Sequence, residues 1–147
     1  MFLGENLHAI DEKGRLTVPA RYRQLLAEGG YITRGFDRNL MVLRIATFEE
    51  LSRKINKMSI TQPNARELRR IVFSQAELIQ PDKSGRVLIP QFLRDTMGLD
   101  GEVRVVGMGA YFEIWTPDAW QTQMTQLHEA QDNASYFAEL ELFADED

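Results

Sequence analysis

Residues 11–23 read DEKGRLTVPARYR, and residues 82–94 read DKSGRVLIPQFLR. Both stretches open on Asp, carry Gly-Arg three residues later, run through an apolar strand signal into Pro, and close on Arg. A shift of 71 residues places Asp11, Gly14, Arg15, Pro19, Arg23 and Gly30 on Asp82, Gly85, Arg86, Pro90, Arg94 and Gly101. The same shift places Leu16, Val18, Ile32, Met41 and Leu43 on Val87, Ile89, Val103, Phe112 and Ile114, all apolar. Phe48 and Trp120 continue the rhythm one position out of register. The chain therefore reads as two copies of one unit, and the fold has to be built from that unit. The copies span residues 5–48 and 76–120, with an insert at 49–75 and a tail at 121–147.

Each copy predicts the same elements. A short strand (7–10; 78–80) enters D-x-x-G, where Asp at the first position and Gly at the fourth fit a type I turn with Gly at positive φ. The strand resumes at 15–18 and 86–89. Pro then opens a short helix, because its φ suits the first turn and its missing N–H costs nothing there. The helices are expected at 20–27 and 91–97, stopped by Gly29-Gly30 and by Gly98. A second hairpin follows in each copy, with turns near 36–39 and 108–110. In the insert, Thr47 and Glu50 predict a capping box ahead of Phe48, Leu51, Ile55 and Met58. Pro63 opens another helix with Leu68, Ile71 and Val72 on one face. Thr116-Pro117 opens a C-terminal helix to about residue 131, and residues 135–147 read as a short helix running into an acidic tail.

The 147 residues, 44% hydrophobic, suffice for one domain or two small intertwined ones. The absence of cysteine removes disulfides, thiolate metal sites and cysteine nucleophiles, and suits a reducing cytoplasm. No signal peptide, membrane span or N-myristoylation site is expected. Net charge is −5, which taken alone argues against nucleic acid. The distribution argues otherwise: residues 1–75 carry 13 Lys/Arg against 8 Asp/Glu, and residues 76–147 carry 4 against 14. A chain so polarised can present a basic surface while being acidic overall.

Strand, D-x-x-G-R, strand, Pro and a short helix ending in Arg resemble the SpoVT/AbrB DNA-binding unit. Two copies on one chain around a helical insert resemble the MraZ family, through "MFLGENLHAIDEKGRLTVP", "DKSGRVLIPQFLR" and "VVGMGAYFEIW". The resemblance covers nearly the whole chain. It implies an α+β fold in which two pseudo-symmetric swapped-hairpin units form a small β-barrel with peripheral helices. It also implies a non-enzymatic bacterial transcription regulator without cofactors, associated with the nucleoid in the cytoplasm. Its partners would be double-stranded DNA, as repeated promoter boxes upstream of the division and cell-wall gene cluster, and further copies of itself in a ring of the octamer or dodecamer class. No membrane partner is expected.

The chemistry of the motif agrees. Arg on a rigid hairpin can bridge guanine O6 and N7 or clasp a phosphate bidentately. The candidate DNA-binding residues are Lys13, Arg15, Arg21 and Arg23 in the first copy and Lys83, Arg86 and Arg94 in the second. Asp11, Gly14, Asp82 and Gly85 support the motif; each Asp either holds the Arg or caps the turn's own N–H groups. Ser84 stands for Lys13 and Phe92 for Arg21, so the first copy should supply more of the phosphate attraction.

Other signals carry less. His8 and His128 read as packing or surface residues, and HEAQD lacks the second histidine of a zinc H-E-x-x-H. GMGAYF lacks the third glycine of a dinucleotide loop, and neither G-x-x-x-x-G-K-[ST] nor G-x-S-x-G occurs. The basic helix ARELRR at 65–70 reads as a solvated face. Tyr111, Phe112, Trp115 and Trp120 read as core and interface aromatics rather than an RNA-stacking platform. Two alternatives stay open: a ring-forming protein scaffold, in which the motif arginines are interface residues, and an antitoxin-like binding module.

Overall fold

The computed structural model describes residues 1–131, 137, 139 and 140. The expected helix and tail at 135–147 therefore lie almost wholly outside the described residues. Two compact units result, residues 1–117 and 118–147. Among the described residues, the first holds every strand. These are β1 (Glu5–Ala9), β2 (Arg15–Thr17), β3 (Gly30–Arg34), β4 (Leu40–Arg44), β5 (Glu77–Ile79), β6 (Arg86–Leu88), β7 (Glu102–Gly107) and β8 (Tyr111–Trp115). Its helices are α1 (Ala20–Arg23) with a 3-10 turn at Gln24–Leu26, α2 (Ile45–Asn56), α3 (Pro63–Ser74) and α4 (Gln91–Met97). The last helix, α5 (Pro117–Gln131), starts on its proline as expected.

The two copies are joined strand by strand. An antiparallel six-stranded sheet runs β1-β7-β8-β4-β3-β5, and a separate ribbon pairs β2 with β6. The first strand of each copy thus leaves its own copy: β1 pairs with β7, and β5 with β3. Among the described residues no sheet closes. The six strands form an open sheet with β1 and β5 at its edges, and the β2–β6 ribbon stays a separate sheet that meets the end of β1 through the Ile10–Leu16 bridge.

Alternation along the strands builds a core on each face of the sheet. Leu40, Val42, Phe112, Ile114, Val103, Val105 and Ile32 face the ribbon, where Leu16, Val18, Val87, Ile89, Tyr22 and Leu93 complete one cluster. Met41 and Leu43 face the other way, onto Phe48, Ile55 and Val72 of α2 and α3. Phe2 joins the first cluster, its ring 5.0 Å from Tyr22 and 5.2 Å from Phe112.

Two local expectations are corrected. The capping box at Thr47 and Glu50 does not start α2. That helix begins at Ile45, directly on the end of β4, with Arg44 at the cap and no side-chain capping bond. The first copy's helix is not continuous over 20–27. The second copy's α4 ends on Gly98 at φ 65, a left-handed cap that glycine adopts without strain. The matching residue is Ala27, held at φ −55, so the first copy tightens into a 3-10 turn and reverses at Gly29, φ 98.

Candidate nucleic-acid interface

The two D-x-x-G-R tips repeat one another bond for bond. Gly14 N–H donates to Asp11 O at 3.0 Å, and Gly85 N–H donates to Asp82 O at 2.9 Å, closing the expected turns. Both glycines sit at positive φ, 83 and 77. Asp11 Oδ1 accepts the N–H groups of Lys13 and Arg15, each at 2.9 Å, while Oδ2 accepts Arg15 Nε at 2.9 Å. Asp82 does the same for Ser84, Arg86 and Arg86 Nε, again at 2.9 Å each. Each carboxylate therefore caps the turn with one oxygen and orients the arginine with the other, so both readings of the Asp hold together. The backbone N–H of Arg15, then its side chain and the N–H of Lys13, hold the Asp11 carboxyl below its ordinary value. The corresponding bonds from Arg86 and Ser84 do so for Asp82. Both stay ionised at neutral pH and can only accept.

The ribbon brings the tips together. Arg15 lies opposite Leu88, Leu16 opposite Val87, and Thr17 opposite Arg86. Leu16 and Val87 point inward and are buried. The period-2 pleat turns Arg15, Thr17, Arg86 and Leu88 outward on one face. Arg15 and Arg86 are diagonal neighbours, with about 7–8 Å between positions. Their side chains are 30% and 34% exposed, and Nε alone is engaged by the Asp, so the terminal nitrogens are left for a ligand. Lys13 and Lys83 flank them, exposed on the turns. Residues 11–23 and 82–94 each carry a net charge of +2 in a chain of −5. Positive charge is thus concentrated at the paired tips.

The remaining candidates are held by other contacts. Arg21 is exposed, with its guanidinium 5.4 Å from the Tyr22 ring centroid and against Gly4. Arg23 Nε donates to Val18 O and Arg94 Nε to Ile89 O, each at 3.0 Å, just past the ends of β2 and β6. Arg94 also donates to Gln91 Oε1 at 2.9 Å. Phe92, in the place of Arg21, is exposed.

Thr17 and Leu88 were absent from the sequence-based set. The signal for them was the alternation itself: if Leu16 and Val87 face in, their neighbours face out. In the insert, Arg69 reaches the carbonyls of Asn56 and Met58 at 3.2 and 3.3 Å, capping the end of α2. Arg66 donates to Ile60 O at 2.7 Å. Two of the three arginines of ARELRR are thus spent on the loop between α2 and α3. His8 is half-buried, and burial, with Arg23 adding, lowers its pKa; His128 is exposed on α5. No group of three or more His, Asp or Glu able to hold a metal occurs among the described residues, and no helix there is long and apolar enough to cross a membrane.

A family model described as "MraZ protein, putative antitoxin-like" matches the chain twice, at residues 1–71 and 72–140. The chain is similar to proteins named transcriptional regulator MraZ. That of Herpetosiphon aurantiacus is 47% identical over 122 residues, 83% of this chain and 85% of that protein. That of Roseiflexus castenholzii is 45% identical over 139 residues, 95% of each chain. That of Thermomicrobium roseum is 45% identical over 127 residues, 86% of this chain and 89% of its own.

Proposed function

The chain belongs to the MraZ family, and from that membership we propose that it regulates transcription by binding double-stranded promoter DNA through the β2–β6 ribbon. The observation that carries the reading is the pair of Asp-oriented arginines on one exposed ribbon face. A two-stranded ribbon fits the major groove, and Arg is the side chain best suited to guanine O6 and N7 there. Lys13, Lys83 and Arg21 supply attraction to the phosphates, which positions the protein without reading sequence.

The DNA would be repeated boxes upstream of the division and cell-wall gene cluster, bound by a ring of identical chains of the octamer or dodecamer class at the nucleoid. Charge and size favour such multivalency. An acidic chain with one modest basic face gains little from a single box, whereas linked copies convert later contacts into intramolecular ones and raise avidity by about 10²–10⁴.

Gel shifts with DNA from upstream of the protein's own gene, over a salt series, test this reading. Steep salt dependence and tighter binding to the full array than to one isolated box are expected. Equal binding to one box and to the array would remove the ring from the account. A flat salt response with no preference for repeats would leave the scaffold reading. The antitoxin-like reading draws on the family description and predicts instead a stable complex with the product of a neighbouring toxin gene.

A further inference from the structure

Arg23 and Arg94 lie close to the turns, yet not to the turns of their own copies. A Cβ placed on Gly14 would lie 2.6 Å from Nη2 and 2.8 Å from Nε of Arg94. A Cβ placed on Gly85 would lie 2.7 Å from both Cδ and Cζ of Arg23. The guanidinium of each helix thus rests against the hairpin glycine of the other copy. Backbone bonds close the same loop: Val18 N–H donates to Gly85 O at 2.8 Å, and Ile89 N–H donates to Gly14 O at 2.9 Å. Val18 is therefore held on its N–H by the second tip and on its carbonyl by Arg23. Ile89 is held in the same way by the first tip and by Arg94.

We propose that Arg94 and Arg23 are positioning residues acting crosswise, Arg94 setting the tip that carries Arg15 and Arg23 setting the tip that carries Arg86. The proposal rests on the DNA-binding reading above and gives the helix arginines a different part in it from direct contact. Only glycine meets both demands at positions 14 and 85, positive φ and a guanidinium where a Cβ would stand. Only Arg meets the complementary demand, an Nε–H directed at the carbonyl with a planar group extending past it. Lys has the charge but neither feature. The arrangement ties the two reading arginines to one another through the opposite copy, so neither tip keeps its geometry when the other copy's helix is altered.

Hydrogen exchange on the free, full-length protein and DNA titrations of single and double variants test the proposal. Arg94→Ala should speed amide exchange at Lys13, Gly14 and Arg15 by roughly tenfold while sparing Ser84, Gly85 and Arg86, and Arg23→Ala should do the reverse. In DNA binding, Arg94→Ala should couple to Arg15→Ala by roughly tenfold and be additive with Arg86→Ala. Arg94→Lys should behave like Arg94→Ala, and the salt slope of binding should stay unchanged in both. Gly14→Ala should reproduce the pattern of Arg94→Ala. Faster exchange at the variant's own copy, or at both tips equally, overturns the crosswise assignment. So does full affinity in Arg94→Lys, or a salt slope reduced by about 0.9, the mark of a lost phosphate contact. If Arg94→Ala unfolds, the lysine and glycine variants carry the test. The exchange arm needs no DNA, so a failed DNA reading and a failed clamp are distinguishable.

Discussion

The first and second hairpin tips share a backbone and differ in what they display. Asp11 and Asp82 make the same three side-chain bonds at the same 2.9 Å. Around that frame, Lys13 is replaced by Ser84, Thr17 by Leu88 and Arg21 by Phe92. Leu88 is 58% exposed and Phe92 41% exposed, so neither replacement serves the core. The residues that hold the tip are the ones repeated, and the residues around it are free to diverge. A duplex meeting this ribbon meets two arginines in equivalent geometry within unequal surroundings. The inequality extends inward: on the face that packs against α2 and α3, β4 presents the apolar Met41 and Leu43, while β8 places the buried Glu113 opposite Met41.

The largest test of the comparison is to separate the copies. Cut between residues 75 and 76, each half retains only its own second hairpin, β3–β4 or β7–β8, and loses every pairing that crosses copies. Residues 1–75 alone should aggregate or homodimerise, since exposed edges and half a core remain. Co-expression with 76–147 should restore a complex. Mass and cooperative unfolding decide this, and a stable monomeric half would mean two independent domains.

A smaller effect comes from changing the charge of one tip at a time. Lys13→Ser should lower the salt slope of DNA binding by about 0.9 for each engaged chain, and Ser84→Lys should raise it by about as much. Stability in both should stay within about 0.5 kcal/mol, as the positions are exposed. Unchanged slopes would show that a lysine at this turn position is not felt by DNA.

The smallest effect concerns the buried Glu113. Burial pushes the Glu113 carboxyl above its ordinary 4.5, only partly offset by the Trp115 Nε1–H bond to Oε1. A raised carboxyl pKa costs stability as pH rises above the unfolded value and through the folded one. Glu113→Gln keeps an acceptor for Trp115 and removes that cost. The variant should melt about 1–3 °C higher at pH 7, with the gain vanishing below pH 4.5. Paired melting curves at pH 4 and pH 7 check the sign.

Much of this molecule was legible because the decisive bonds are local. The turn, the positive-φ glycine and the Asp-to-Arg contact all fall within five consecutive residues, and a repeat at 71 states them twice. The partners of β1 and β5 were not legible. Nothing near residue 5 encodes Val106, and that register is set by packing on the shared core. Closure of a barrel was expected from resemblance rather than from residues, and the hydrogen bonding leaves the sheet open. Arg23 and Arg94 were assigned to DNA by charge and motif position. Their placement against the opposite copy's glycines depends on the ribbon pairing, which a linear reading does not contain. Phe2 entered the core unannounced, since a single aromatic in an extended terminus has no periodicity to betray it.

The central claim is that two tips act as one DNA-reading face, and titration of labelled promoter-repeat DNA with wild type, Arg15→Ala and Arg86→Ala tests it most directly. Each variant should bind more weakly by about 1–3 kcal/mol per lost contact, Arg15→Ala by more than Arg86→Ala, while melting like wild type. If both variants are folded and bind the repeats as tightly as wild type, the ribbon is not the DNA-binding surface.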